Sequence, residues 1–296
     1  MLEPEGVVIG RGFGAEAGAG TVTRGTCAAV ELPVNRDREM PELPEVEGAV
    51  RRLRRAIVGK RIETVDLLHR SLLRRLKPAQ RRSLRGAVVR AVDRRGKHQL
   101  VSLDDGRILH AHFRMTGDWT IDRSSDRLPR FARAAFVFHD GTRVVLDDPR
   151  ALSTLDLHAS GSPPALALGP EPTDRSLTAR TFAPVLSKRR GPIKPVLLDQ
   201  RVIAGIGNIY AAESLWHARI SPTVAASSLS TRQVAALLSA LRLVIRRATG
   251  ARYTDDSTAR LAVYDREGKP CRRCRTAIRR IVQAGRSTYY CPRCQG

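Results

Sequence analysis

The sequence predicts an α+β protein: a mainly antiparallel β domain, then a helical domain, then a short metal-binding tail. Three observations carry this expectation. Short β-prone runs crowd residues 86–147, helical periodicity takes over from residue 177, and four of the five cysteines lie between Cys271 and Cys294. The chain has 296 residues, 42% of them hydrophobic, which is enough for two domain cores and argues against wholesale disorder. No run approaches the 18 or so apolar residues of a membrane span.

Residues 1–39 carry four arginines against six acids, net −2, which leaves the remainder at +25. Their Gly/Ala-rich stretch has neither helical nor strand period and lacks the basic-then-apolar order of a secretory signal. An unstructured leader is expected there, with Met40 as the true start and no role for Cys27. From Met40 the segment MPELPEVEGAVRRLRRAIVGK places Val46, Ala49, Val50, Leu53 and Ile57 at helical spacing, with Pro44 in the first turn and Gly59 at the stop.

The β-like runs that follow are GAVVRAV (86–92), HQLVSL (98–103), RILHAHF (107–113), AAFVFH (134–139) and TRVVLD (142–147). Asp105-Gly106 and Asp140-Gly141 stand between such runs and predict type I′ hairpins. The Pro/Gly-rich stretch 159–176 reads as a linker between a domain of residues 40–158 and one of 177–265. In the second domain, Ser230 and Gln233 make a capping box ahead of a stripe of Val234, Leu237, Leu238, Leu241 and Ile245.

Residues 266–296 form the tail. Cys271, Cys274, Cys291 and Cys294 make a C-x2-C, sixteen-residue, C-x2-C pattern beside nine basic residues and one acid. Two close thiolate pairs suit a tetrahedral cation, and so short a tail has little core without one; the expected cofactor is one structural zinc ion. Two disulfides would satisfy the same count, but nothing marks the chain as secreted. A closed four-thiolate site leaves catalysis to other groups.

The formal charge is +23, from 52 basic and 29 acidic residues, and only six of the basic residues are lysine. A GC-rich genome gives the same arginine bias, yet an excess this large favours a polyanionic partner, nucleic acid first.

PELPEVE after a methionine, AHFRMTG, DPR at 148–150, LGPEP, AGIGNIYAAESL and the four-cysteine tail occur in that order, and in that order they resemble the formamidopyrimidine-DNA glycosylase / endonuclease VIII family. The resemblance covers residues 40–296. It implies an N-terminal antiparallel β-sandwich flanked by helices, a helix-two-turn-helix domain and a zinc-finger β-hairpin, with damaged double-stranded DNA between them.

It also implies roles. Pro41 falls on the nucleophile, whose amine attacks C1′ of the damaged nucleotide and forms a Schiff base. A peptide-bonded proline nitrogen is an amide, so this chemistry needs Pro41 at the N-terminus. Glu42 matches the general acid, although a glutamate in a basic cleft could equally be a salt-bridge partner. Glu45 matches a further acidic position, or simply complements a helix dipole. Lys97 matches a phosphate-contacting lysine that assists the lyase step. Met115, Arg150 and Leu152 match the three residues that fill the hole left by an extruded nucleotide. Asn208 and Arg286 match phosphate contacts beside the lesion, and Arg189 stands near another. His110 and His112 alternate on a strand and look metal-like, but without a third ligand they read as satisfied surface groups.

The chain departs from the family pattern at four places. Leu152 replaces a common phenylalanine, Arg114 a common glycine, and Phe131 a DNA-contacting histidine of the formamidopyrimidine branch. The segment 251–263 is shorter than the loop that caps 8-oxoguanine there, which leaves an endonuclease VIII-like taste for oxidised pyrimidines, hydantoins or abasic sites open. The leading expectation is a bifunctional glycosylase and abasic-site lyase of base-excision repair. A non-catalytic damaged-DNA-binding zinc protein and an RNA-binding zinc-ribbon protein are the other classes. A monomer in the cytoplasm, at the nucleoid and not on a membrane, is expected.

Overall fold

Helix α1 (Leu43–Ile57) opens the fold, and its sequence explains why. Glu42 caps it in extended conformation, with its backbone N–H donated to the Glu45 carboxylate, and Pro44 lies in the first turn. The residues at helical spacing, Val46 to Ile57, are buried, while the arginines face out. In the computed structural model, residues 40–249 and 261–296 are described; the leader and residues 250–260, which take in most of the 251–263 segment singled out above, lie outside them.

Two antiparallel four-stranded sheets follow. The first has the order β1 (Ile62–Leu67), β6 (Ala132–Phe138), β7 (Thr142–Asp147), β5 (Asp118–Arg123); the second has β2 (Val89–Arg95), β3 (His98–Leu103), β4 (Ile108–His112), β8 (Thr154–His158). Short helices α2 (Arg70–Leu73) and α3 (Pro78–Ser83) link β1 to β2. The inward residues of both sheets, among them Phe136, Leu146, Val101 and Leu155, share one apolar cluster with the inner face of α1. This is the sandwich expected from the resemblance.

The two Asp-Gly hairpins form, but not with type I′ turns. Gly106 and Gly141 are left-handed at φ 82° and 78°, while Asp105 and Asp140 are not. Each turn instead closes through a glycine N–H, Gly106 to Leu103 O and Gly141 to Phe138 O. Each aspartate carboxylate then accepts the N–H two residues on, from Arg107 and Thr142. An aspartate with this local acceptor supports a type I turn ending in a left-handed glycine.

The helical domain packs α4 (Ala179–Ser187), α5 (Ile193–Leu198), α6 (Asn208–Ala218) and α7 (Thr231–Thr249) around a second cluster. The Ser230–Gln233 capping box forms at the start of α7. Leu43, the first residue of α1, belongs to this second cluster, whereas Val46 onward belongs to the first. One helix therefore enters both cores. The tail ends in a hairpin, β9 (Arg279–Gln283) and β10 (Arg286–Tyr290), whose two-residue turn Ala284-Gly285 is left-handed at both positions, the type I′ signature.

Candidate active site

The start of α1 meets the start of α6. Glu42 is only 1% exposed, and its carboxylate accepts the N–H groups of Gly207 at 2.7 Å, Ile209 at 2.8 Å and Tyr210 at 3.3 Å. Two glycines make the approach possible. A Cβ on Gly207 would stand 2.5 Å from the Glu42 carboxyl carbon, and one on Gly205, left-handed at φ +87°, would stand 2.5 Å from a Leu43 methyl. The GIGN sequence is thus a cradle for Glu42 and Leu43.

Burial pushes the Glu42 carboxyl up to about 7 from its ordinary 4.5. Lys97 and the backbone donors oppose that rise, and the neighbouring Glu45 adds to it. Glu45, also raised by burial, accepts the Tyr210 hydroxyl. The result is a carboxyl group that holds and releases a proton near neutrality, one residue from Pro41.

Lys97 stands on the same side, 5% exposed, with Nζ 4.0 Å from Met40 Sδ. It occupies the second position of the two-residue β2–β3 turn, after Gly96 at φ 58°, the pattern of a type II′ hairpin. The turn is fastened from the stretch that reads as a linker. Glu171 of LGPEP accepts the Gly96 N–H at 2.6 Å and forms a two-pronged pair with Arg94 at 2.8 and 2.9 Å. Arg94 also reaches Glu47 on α1.

Asp148 organises a second group. Its fully buried carboxylate accepts the backbone N–H of Arg150, Leu152 and Ser153 and the hydroxyls of Thr116 and Ser153. Burial opposes its ionisation, yet these donors together hold the carboxyl below its usual range. The network ties the 148–153 loop to the turn carrying Met115. Leu152 projects at 43% exposure and the Arg150 side chain is exposed. Arg114 and Ala151 are both left-handed, at φ 57° and 53°, which accounts for the glycine common at the position of Arg114.

The histidines differ from their surface expectation. His110 and His112 are 8% and 9% exposed and pack with His98 and His158 on one sheet face; His98 Nδ1 lies 2.8 Å from His110 Nε2. Desolvation, with nearby cationic groups, pushes His98 down to about 4 and His112 to about 3. His112 Nδ1 accepts the Arg114 N–H and so supports the Met115 turn. Among the described residues the grouping suited to a metal is the four cysteines, not these rings.

Lys194 links the helical domain to the tail. Fully buried, its ammonium donates to Asn208 Oδ1 at 2.5 Å, Ser287 O at 2.8 Å and Thr288 Oγ1 at 2.8 Å. Asn208, the first residue of α6, is therefore fixed against β10, whose first residue is Arg286. Arg189 is not drawn into this group; it pairs with Asp199 at 3.6 Å. Buried Glu213 of α6 accepts three consecutive N–H groups, Ala262, Val263 and Tyr264, and so anchors the chain ahead of the tail.

The four cysteine sulfurs lie within 4.8 Å of one another, with Cys274–Cys291 at 3.4 Å and Cys271–Cys294 at 4.0 Å. Four metal–sulfur bonds of about 2.3 Å in a tetrahedron place sulfurs at roughly these separations. The Trp216 indole N–H points at Cys271 Sγ, 3.4 Å away, and the Arg273 guanidinium stacks on that indole at 3.6 Å. The thiolates thus form a closed structural site, remote from Glu42 in role.

Sequence reasoning missed Lys194, Asp148, Glu171 and Glu213. Asp148, Glu171 and Glu213 lie inside motifs quoted above and Lys194 lies outside them all, but a lone lysine or acid reads as solvated until its buried partners are known.

A two-layer β domain joined through a buried carboxylate to a helix-two-turn-helix unit and a four-cysteine finger defines a helix-two-turn-helix protein of the glycosylase type. The formamidopyrimidine-DNA glycosylase N-terminal domain matches residues 40–155, the formamidopyrimidine-DNA glycosylase H2TH domain residues 168–258, and the zinc finger found in FPG and IleRS residues 268–296. A formamidopyrimidine-DNA glycosylase of Rhizorhabdus wittichii is 39% identical over 86% of this chain and 100% of its own length. Among solved structures, MutM in complex with DNA containing carbocyclic 8-oxo-G superposes with TM-score 0.80 at 29% identity, covering 86% of this chain and 99% of that one. Lactococcus lactis Fpg (MutM) with FAPY-dG DNA gives 0.79 at 28% over the same shares. The chain belongs to the formamidopyrimidine-DNA glycosylase family.

Proposed function

We propose that this protein is a base-excision-repair DNA glycosylase and abasic-site lyase acting on oxidised purines in duplex DNA. The observation that carries the reading is Glu42: a buried carboxyl poised near neutrality, one residue from Pro41 and facing Lys97. The neighbours solved with 8-oxo-G and FAPY-dG DNA support the choice of purine lesions.

In the proposed reaction the free secondary amine of Pro41 attacks C1′ and the glycosidic electron pair leaves with the base. Glu42 protonates the sugar ring oxygen, the ring opens, and C1′ and the proline nitrogen form an iminium. Loss of a C2′ proton then expels the 3′ phosphate, and a second elimination expels the 5′ phosphate. Lys97 lies near enough to neutralise a phosphate while this happens. Met115, Arg150 and Leu152, held by Asp148, fill the stack that the nucleotide leaves, and Asn208 and Arg286 hold the phosphates around it. One zinc ion on Cys271, Cys274, Cys291 and Cys294 would fix the hairpin that carries Arg286. The protein acts as a monomer on damaged double-stranded DNA in the cytoplasm.

Borohydride trapping on an abasic-site duplex tests this reading. Protein that begins at Pro41 after methionine removal is expected to form a covalent adduct mapping to Pro41. Protein retaining residues 1–40, verified intact by mass spectrometry, is expected to form none, because its Pro41 nitrogen is an amide. Absence of an adduct from both overturns the lyase mechanism.

A further inference from the structure

Beside the 148–153 loop, on its α2 side, lies a concavity of about 650 Å³. Its wall carries Arg70 and Arg74 from α2 and its end, Arg133 from β6 and Arg150 from the loop, with His69 and Ser71 between them and no acid. Arg133 is fixed by the carbonyls of Asp148 at 2.7 Å and Pro149 at 3.2 Å. The guanidinium groups of Arg70, Arg74 and Arg150 make no hydrogen bond or ion pair among the described residues; Arg150 engages only through its backbone N–H. The nearest carboxylate in sequence, Asp148, is consumed by the loop's own amides and hydroxyls.

Arg133 has Asp147 nearby, but Arg70, Arg74 and Arg150, held around the same hollow without a paired acid, repel one another and are complemented by an anion with several oxygens. Planar guanidinium forks suit phosphodiesters in particular. Lys97, Asn208 and Arg286, the groups assigned to the damaged strand, do not line this hollow. Arg150 does, and Arg150 is one of the three groups proposed to fill the vacated stack, where what it meets is the base of the other strand.

Resting on the functional reading above, we propose that this pocket seats backbone phosphates of the strand opposite the extruded nucleotide. Arg70 and Arg74 then grip the complementary backbone while Arg150 reaches the base attached to it. The enzyme holds both strands through separate sets of cations.

The test uses the full chain and duplexes holding a stable abasic-site analogue, with single phosphates replaced by neutral methylphosphonates on either strand. In the unaltered protein, substitutions on the opposite strand beside the orphaned base are expected to raise Kd about ten-fold. In the double variant Arg70→Ala with Arg74→Ala that penalty shrinks to less than about two-fold, while damaged-strand substitutions weaken both proteins alike. The slope of log K against log salt becomes shallower by roughly one to two. Arg70→Lys with Arg74→Lys restores the slope. The footprint on the unaltered protein does not depend on how the variants fold. Interference confined to the damaged strand, or an equal opposite-strand penalty in both proteins, overturns the pocket while leaving the functional reading intact. An unaltered protein that binds damaged and intact duplexes equally overturns that reading, and the pocket with it.

Discussion

Glu42 stands where two opposing effects meet. Backbone N–H groups at the start of α6 favour its carboxylate, and removal from water disfavours it by more, which sets its pKa at about 7. Because the folded value is raised, the folded chain holds a proton that the unfolded chain has lost between about pH 4.5 and 7. Stability contributed by this group therefore declines across that window as pH rises. The same proton drives the proposed ring opening, while attack needs the Pro41 amine unprotonated, so single-turnover base excision by protein beginning at Pro41 is expected to peak between the Glu42 value of about 7 and the roughly 8 of an α-amino group and to fall on either side. Glu42→Gln should keep damaged-DNA affinity and lose about 10²–10⁴-fold in excision rate, measured by quenched-flow or manual sampling on a lesion duplex. An equal loss of affinity would show that the carboxyl is structural. Glu42 itself was legible from PELPEVE, but its burial was not, since its donors lie 165 to 168 residues away in sequence.

Among the elements, those built from local periodicity or capping matched their sequence: α1 through its apolar spacing, α7 through its Ser230–Gln233 box. Turn geometry was less legible. Asp-Gly was expected to give two left-handed residues, yet the aspartate carboxylates found backbone partners that held only the glycines left-handed. The I′ pattern instead arose at Ala284-Gly285, a pair without that signal. Buried tethers between elements were invisible for a different reason: Lys194 sits 93 residues from Ser287, and no local rule links them. Lys194→Met should leave Asn208 Oδ1 and Thr288 Oγ1 short of a donor inside the protein, at about 1–3 kcal/mol for each unsatisfied group. Lower Tm, together with faster proteolytic cleavage within residues 266–296, is the expected result. A tail that is cut no faster would show that α5 does not hold it.

At the scale of the molecule, stability is divided among three apolar clusters of the described residues, and that of the tail is small, built from Trp216, Val263, Ile278 and a few others. Such a cluster would depend on a metal held by the four thiolates. Removing the ion with a strong chelator, or substituting Cys291→Ser, should abolish damaged-DNA binding. Hydrogen exchange should then quicken across β9 and β10 and stay slow across β2 and β3; an unchanged β9–β10 would contradict a structural role for the four thiolates. The order of the domains was legible because composition and period change along the chain. Their joint was not, because it is made by one helix that starts in one core and continues in the other. That shared helix bears on safety as well as shape. The proton on Glu42 is held near neutrality only while α6 closes over it, so a molecule whose halves have parted carries an ordinary solvated glutamate beside its proline. In the proposed mechanism the proton donor is thereby interlocked with completed assembly, and a half-folded copy that meets DNA lacks it.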